Sequence, residues 1–200
     1  MREKYQQQIK NRIDSFTEDF AFSATDFFDI ADTNPVNKAL SRLNEEGYIR
    51  RIIQGIYDKP VFSSLVKEYI SPNIDSVAQA LSRKFNWTIA PAGDTALNYL
   101  HMSTQVPNRW LYISDGPYRK YEIGNYTLEF KHCANREVSG KSYIAIIIIQ
   151  ALKAIGENRI QAEDINRLKI AIKDVDNMLL LKESRTAPAW INRIIKEICI

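Results

Sequence analysis

The sequence predicts an α+β protein in two parts, residues 1–60 and residues 61–200. Three observations carry this. Helix-like segments precede a hairpin within the first 60 residues. Three strand-like segments, separated by strong turn signals, fall between residues 110 and 131. Apolar residues at helical spacing dominate after Gly140.

The elements follow from local chemistry. Residues 2–14 are polar except for a stripe of Tyr5, Ile9 and Ile13 that continues to Phe16, which predicts an amphipathic helix. Ser23 or Thr25 is placed to cap a short helix bearing Phe27, Phe28 and Ile30. Asp32 to Pro35 forms a turn, and Pro35 suits the first turn of the next helix. That helix, 36–46, sets Val36, Ala39, Leu40 and Leu43 on one side, and Gly47 ends it. Ile49, Ile52 and Ile53, then Gln54-Gly55, then Ile56-Tyr57 spell a hairpin. Residues 60–70 read as a connector, and Ser71-Pro72 opens a helix reaching Phe85.

Further along, 87–91 reads as a strand and 93–100 as a helix capped by Asp94 or Thr95. Strands are expected at 110–114, 118–123 and 126–131, joined by Asp115-Gly116-Pro117 and Gly124-Asn125. They make a small antiparallel sheet. Helices are expected at 141–155, 162–182 and 188–200. The run Ile144 to Ile149 fits a buried strand as well as a helix, and its continuation through Leu152 and Ile155 favours helix.

Composition narrows the function classes. The chain has 200 residues, 26% charged and 45% hydrophobic, which is ordinary for a globular protein. Its 27 basic and 24 acidic residues give a net charge of +3, so any basic patch must be local. Two cysteines, Cys133 and Cys199, cannot build a disulfide framework or a four-ligand zinc site. The polar start shows no secretion signal, and the apolar run 143–149 is too short to span a bilayer. The expectation is a cytoplasmic protein with no membrane partner.

Helix, short helix, helix and hairpin is the order of a winged helix-turn-helix, which predicts a DNA-binding domain at 1–60. The exposed side of the third helix carries Asn37, Lys38, Ser41 and Arg42. Asn can read adenine, and Arg or Lys can read guanine, in the major groove. The hairpin adds Arg50, Arg51 and Lys59, with Gln54 at its tip. Strand alternation sends Arg50 and Arg51 to opposite faces. Residues 1–34 hold four basic and seven acidic residues, whereas 35–60 hold five basic and three acidic, so positive charge concentrates on the expected DNA face. Few phosphates would be neutralised per domain, so affinity would need a second copy or the second domain.

The stretch VNKALSRLNEEGYIRRIIQGIYDKP resembles the N-terminal winged helix of AbiEi-type antitoxins of type IV toxin–antitoxin systems. The shared features are Ala39-Leu40 with Arg42-Leu43, Gly47, the hydrophobic-basic wing strand, and Gly55 with Tyr57. SPNIDSVAQALSRKFNWTIAPAGDTALNYLHMSTQVPNRWLYISDGP, GNYTLEFKH and APAWI are similar to the following domain of a subgroup of that family. The resemblance implies a non-enzymatic regulator that binds double-stranded operator DNA and represses its own toxin–antitoxin or phage-defence operon. It also implies a nucleotidyltransferase-like toxin encoded nearby, and it places DNA contacts on Asn37, Lys38, Ser41, Arg42, Arg50 and Arg51. Oligomeric state stays open.

Two alternatives belong to other classes. One is a protein-interaction module that neutralises a toxin directly. The other is a Mg²⁺-dependent nuclease, since Asp115, Glu129 and Lys131 fit a D…E-x-K spacing in which two carboxylates hold the metal. Glu129 and Lys131 would share a strand face, but Asp115 sits in a turn with a whole strand between. Asp174-Val175-Asp176 lacks the glycine-serine context of a nucleotidyltransferase and suits a helix start. Ser139-Gly140-Lys141-Ser142 lacks the first glycine of a P-loop, and no cofactor fingerprint is present, so no cofactor is expected. His132 and Cys133 would point to opposite strand faces, which makes a metal site improbable. Tyr112, Tyr118, Tyr121 and Tyr126, near Arg119, Lys120, Lys131 and Arg136, fit a half-buried sheet, with base stacking as the functional alternative.

Overall fold

A computed structural model describes residues 2–200, with side chains from Tyr5 onward. The protein is α+β and divides into two compact units after Trp87. The sequence predicts the boundary near residue 60. It lies later because the helix that follows is tied to the N-terminal elements. Ala21 N–H donates to Ser76 Oγ at 2.7 Å, and Arg83 donates to the Ala21 carbonyl at 2.8 Å and to Asp26 at 2.7 Å.

The first unit opens with α1 (Arg2–Ser15), whose stripe buries Ile9 and Ile13 completely. A short 3-10 turn, Ala24–Phe27, begins at Ser23, whose N–H donates to the Asp26 carboxylate. Then comes α2 (Thr33–Glu45), with Pro35 in its first turn. Its Val36, Ala39, Leu40 and Leu43 are buried, as the periodicity demands. Gly47 has φ +71°, which lets the chain reverse so that Tyr48 N–H reaches the Leu43 carbonyl at 2.8 Å.

The hairpin pairs β1 (Arg50–Ile53) with β2 (Ile56–Asp58) antiparallel, and Arg50 faces Asp58. Phe22 and Tyr57 exchange backbone hydrogen bonds of 2.8 Å each way, stitching the hairpin to the helices. Phe22 meets Phe27 edge-on at 5.6 Å, inside a core that includes Ile9, Ile13, Leu40, Leu43 and Ile49.

The segment expected to be a mere connector forms a second hairpin, β3 (Phe62–Ser63) with β4 (Glu68–Tyr69). Strands of two residues leave no alternation to read. Helix α3 (Ile74–Phe85) starts on Asn73, whose side chain accepts the Ser76 N–H.

In the second unit, β5 (Ile89–Pro91), β6 (Arg109–Ser114), β7 (Arg119–Ile123) and β8 (Tyr126–His132) form one sheet in the order β5-β6-β8-β7. Both outer pairings are antiparallel, while β6 and β8 run parallel at the centre. Composition explains the insertion: β8 carries Leu128 and Phe130, both fully buried, while β7 exposes Arg119, Lys120 and Glu122 and takes the edge.

Between β5 and β6 lies α4 (Asp94–Tyr99). Neither Asp94 nor Thr95 caps it: Gly93 holds the cap position, and the Thr95 hydroxyl instead accepts the Leu111 N–H at 2.8 Å. After β8 come the single turn α5 (Asn135–Val138) and α6 (Tyr143–Ile155), closed by Gly156. The isoleucine run is helical, and residues 145–152 are all buried, which is why it lacks a polar face.

The helix expected at 162–182 is two helices, α7 (Ala162–Ala171) and α8 (Asn177–Glu183). Asp176 makes the break, because its carboxylate accepts the N–H groups of Met178 and Leu179 and starts a new helix. Helix α9 (Ala189–Ile198) completes a core with Ile147, Leu168, Leu180, Ile191 and Ile195. Among the described residues, no helix is long and apolar enough to cross a membrane.

One carboxylate is buried in the sheet. Glu129 is 1% exposed; it accepts the Tyr118 hydroxyl at 2.6 Å and is bound by the Arg109 guanidinium. Burial pushes its pKa up, but the hydrogen bonds from Tyr118 and Arg109 outweigh that and hold it below the usual range. Arg109→Met should cost about 1–3 kcal/mol at neutral pH, toward the lower end because Arg109 is itself 60% exposed. A carboxyl with a depressed pKa contributes stability above its unfolded value and loses it as pH falls. The deficit, read by urea unfolding, should therefore shrink below about pH 4.3.

Candidate nucleic-acid interface

Helix α2 turns its apolar side inward, and this fixes what it presents outward. Asn37, Lys38, Ser41 and Arg42 are all exposed. Ser41 Oγ donates to Glu45 at 3.1 Å, so part of its capacity is spent along the helix. Lys38 and Arg42 make no ion pair among the described residues, and they line one shallow groove with Tyr5, Gln6, Asn34 and Pro35.

The hairpin residues behave less uniformly. Arg50 and Arg51 do separate to different faces. Arg51 is exposed, whereas Arg50 is half-buried and donates two hydrogen bonds to Asp58, at 3.0 and 2.5 Å. It also donates to the Ile70 carbonyl at 3.0 Å. Arg50 is therefore a brace between two hairpins, its guanidinium engaged by Asp58 and the Ile70 carbonyl. Lys59 is likewise committed. It pairs with Asp14 at 2.6 Å, while Asp14 also accepts the Tyr48 hydroxyl. These bonds hold the Asp14 pKa down and the Lys59 pKa up. Its charge is neutralised on the spot, because a carboxylate on α1 lies within reach.

Gln54 stands exposed at the tip, as expected, but its carbonyl accepts a hydrogen bond of 3.2 Å from Lys84 Nζ on α3. Nothing near Gln54 in sequence signals this, since Lys84 lies 30 residues away. Gly55 has φ +72°, so the backbone there calls for glycine, and an added Cβ, 2.6 Å from that ammonium, would displace the end of the Lys84 side chain. Burial pushes the Lys84 pKa down and the nearby Arg51 charge pushes it the same way. Arg51 and Lys84 thus form a small positive cluster at the tip of the first hairpin, and among the described residues no carboxylate pairs with Lys84.

The other constellations do not assemble. Leu111 pairs with Glu129 across the parallel strands, so Asp115, four residues further along, stands about 13 Å from it. Asp115 instead accepts the Thr88 N–H at 2.8 Å. Two carboxylates that far apart share no metal, and both Glu129 oxygens already have donors. No group of three metal-ligating side chains occurs among the described residues. His132 is exposed while Cys133 is buried, on opposite sides as alternation requires. Of the sheet tyrosines, Tyr112 is fully buried against Phe130 at 5.9 Å, Tyr121 meets Phe130 edge-on at 6.2 Å, and Tyr118 serves Glu129. These three are packing and hydrogen-bonding groups rather than a base-stacking row.

The RV2827C protein from Mycobacterium tuberculosis is a distant structural neighbour, with a TM-score of 0.47, 12% identity, and coverage of 98% of this chain and 76% of that one. No curated protein matches the sequence. A family model described as a family of unknown function, DUF6088, matches residues 8–180. The chain belongs to that family.

Proposed function

We propose that the first unit is a winged-helix DNA-binding module and that the protein is an antitoxin-like repressor of its own operon, acting in the cytoplasm on double-stranded operator DNA. One observation carries this reading. The internal carboxylates select which cations stay free. Arg12, Arg50, Lys59 and Arg83 are each held by an aspartate, whereas Lys38, Arg42 and Arg51 are exposed with no ion pair among the described residues. These three cations fall on the outward face of α2 and on the first hairpin, the places where a helix in a groove and a hairpin on a backbone need them. The resemblance to AbiEi-type antitoxins supplies the operon context, including a nucleotidyltransferase-like toxin encoded nearby.

Asn37, Lys38 and Arg42 are positioned for base edges, and Ser41 for a base or a phosphate. Arg51 and Lys84 suit phosphates, because a wing reaches the backbone with point charges.

Binding to DNA from upstream of the operon, followed by fluorescence anisotropy across a salt series, tests the reading. Arg42→Ala should cost about 1–3 kcal/mol and relax sequence preference. Arg51→Ala should weaken all sequences alike and lower the salt slope by about one. Lys84→Gln should act as Arg51→Ala does, and Arg50→Gln should change thermal stability more than salt slope. If neither Arg42→Ala nor Arg51→Ala alters retention, the DNA reading is lost.

A further inference from the structure

The second hairpin is hard to explain in a lone molecule. Within nine residues it exposes five large apolar side chains: Phe62 at 55%, Leu65 at 91%, Val66 at 64%, Tyr69 at 64% and Ile70 at 52%. Phe62 and Tyr69 meet edge-on at 5.4 Å, so the strands carry an aromatic pair and the loop between them a Leu-Val tip. A two-stranded hairpin this short is marginal by itself. It is nonetheless held in place at its base, where Ile70 N–H donates to the Val61 carbonyl at 2.8 Å and Arg50 donates to the Ile70 carbonyl at 3.0 Å. Lys67 keeps a left-handed backbone, φ +55°, to close the loop.

We infer that this hairpin, Val61 to Ile70, is the docking surface for a second copy of the same chain. Area is the first argument. The five side chains expose about 600 Å², the upper end for the largest apolar patch on a monomer. Two copies meeting there would bury at most about 1,200 Å², where specific interfaces begin. Charge is the second. The patch carries one cation and one anion, Lys67 and Glu68, both exposed and without an ion pair among the described residues. A two-fold axis passing between the two residues sets each against its opposite on the other copy, since in an isologous interface residue i meets j and j meets i. A foreign partner would need no such self-matching.

The inference stands without the DNA reading, since a dimer that ignores DNA satisfies it. Sedimentation velocity on the full chain, from about 1 to about 200 µM, is the test. A dimer is expected. The double variant Leu65→Asp with Val66→Asp should raise the dissociation constant by about 30-fold or more. Both sites are solvent-exposed, so circular dichroism should show an unchanged fold. Lys67→Glu alone should also weaken the dimer, and adding Glu68→Lys should restore it. A protein that stays monomeric throughout this range overturns the proposal and leaves the patch to a different partner. A dimer untouched by the Leu65 and Val66 changes overturns it equally.

Discussion

The ion pair between Arg50 and Asp58 organises the two hairpins of the first unit. Asp58 is only 5% exposed, and a carboxylate at that depth is costly unless it is paired and hydrogen-bonded. Arg50 meets the demand with two hydrogen bonds across the register of the first hairpin, and its remaining Nη1 reaches out to Ile70. One guanidinium therefore fixes β1 against β2 and hangs β3–β4 from them. The planar fork makes this possible; a lysine would satisfy one oxygen and leave the rest. Removing either partner would disturb both hairpins at once, along with whatever each of them touches.

Internal pairing also explains how the sequence could mislead about charge. Residues 35–60 hold five cations, and all five look equivalent in a string. Two of them, Arg50 and Lys59, are held by Asp58 and by Asp14, 45 residues from Lys59. Lys84 enters the same neighbourhood from α3, outside any window centred on the first hairpin. The helical face of α2 was legible because its period is set by its own burial. The first hairpin was legible from Gln54-Gly55, but its electrostatics were settled by tertiary partners that no local pattern encodes.

The same division runs through the second unit. Turn chemistry at Gly124-Asn125 located β7 and β8, and the apolar content of β8 accounts for its central place once the sheet is seen. The parallel pairing with β6 was not legible, since turn residues say which strands are joined and nothing about which strand slips between. The break at Asp176 was written in the sequence as an acid at a helix start, yet the apolar periodicity of 162–182 ran through it. Leu168, Ile172 and Leu180 all reach one core from two helices, so the period survives while the helix does not. Glu129 and Lys131 had the spacing of a nuclease motif, and burial decided otherwise by giving the carboxylate two donors of its own.

The net charge of +3 acquires a different meaning from these pairings. Under the proposed DNA reading, a single first unit offers Lys38, Arg42, Arg51 and Lys84 to the duplex. The two phosphate contacts assigned to Arg51 and Lys84 correspond to a salt slope of about −1.8, a weak hold at physiological salt. Adding cations to the unit would strengthen it for every sequence equally, because phosphates carry no sequence information. Joining two units through a shared surface doubles both the slope and the number of base-reading helices, and the second helix binds from an already high local concentration. A protein whose aspartates hold two of the five cations at 35–60 gains little from one copy and much from two. The apolar hairpin held up by Arg50 is the one described feature of the first unit with the area to supply that second copy.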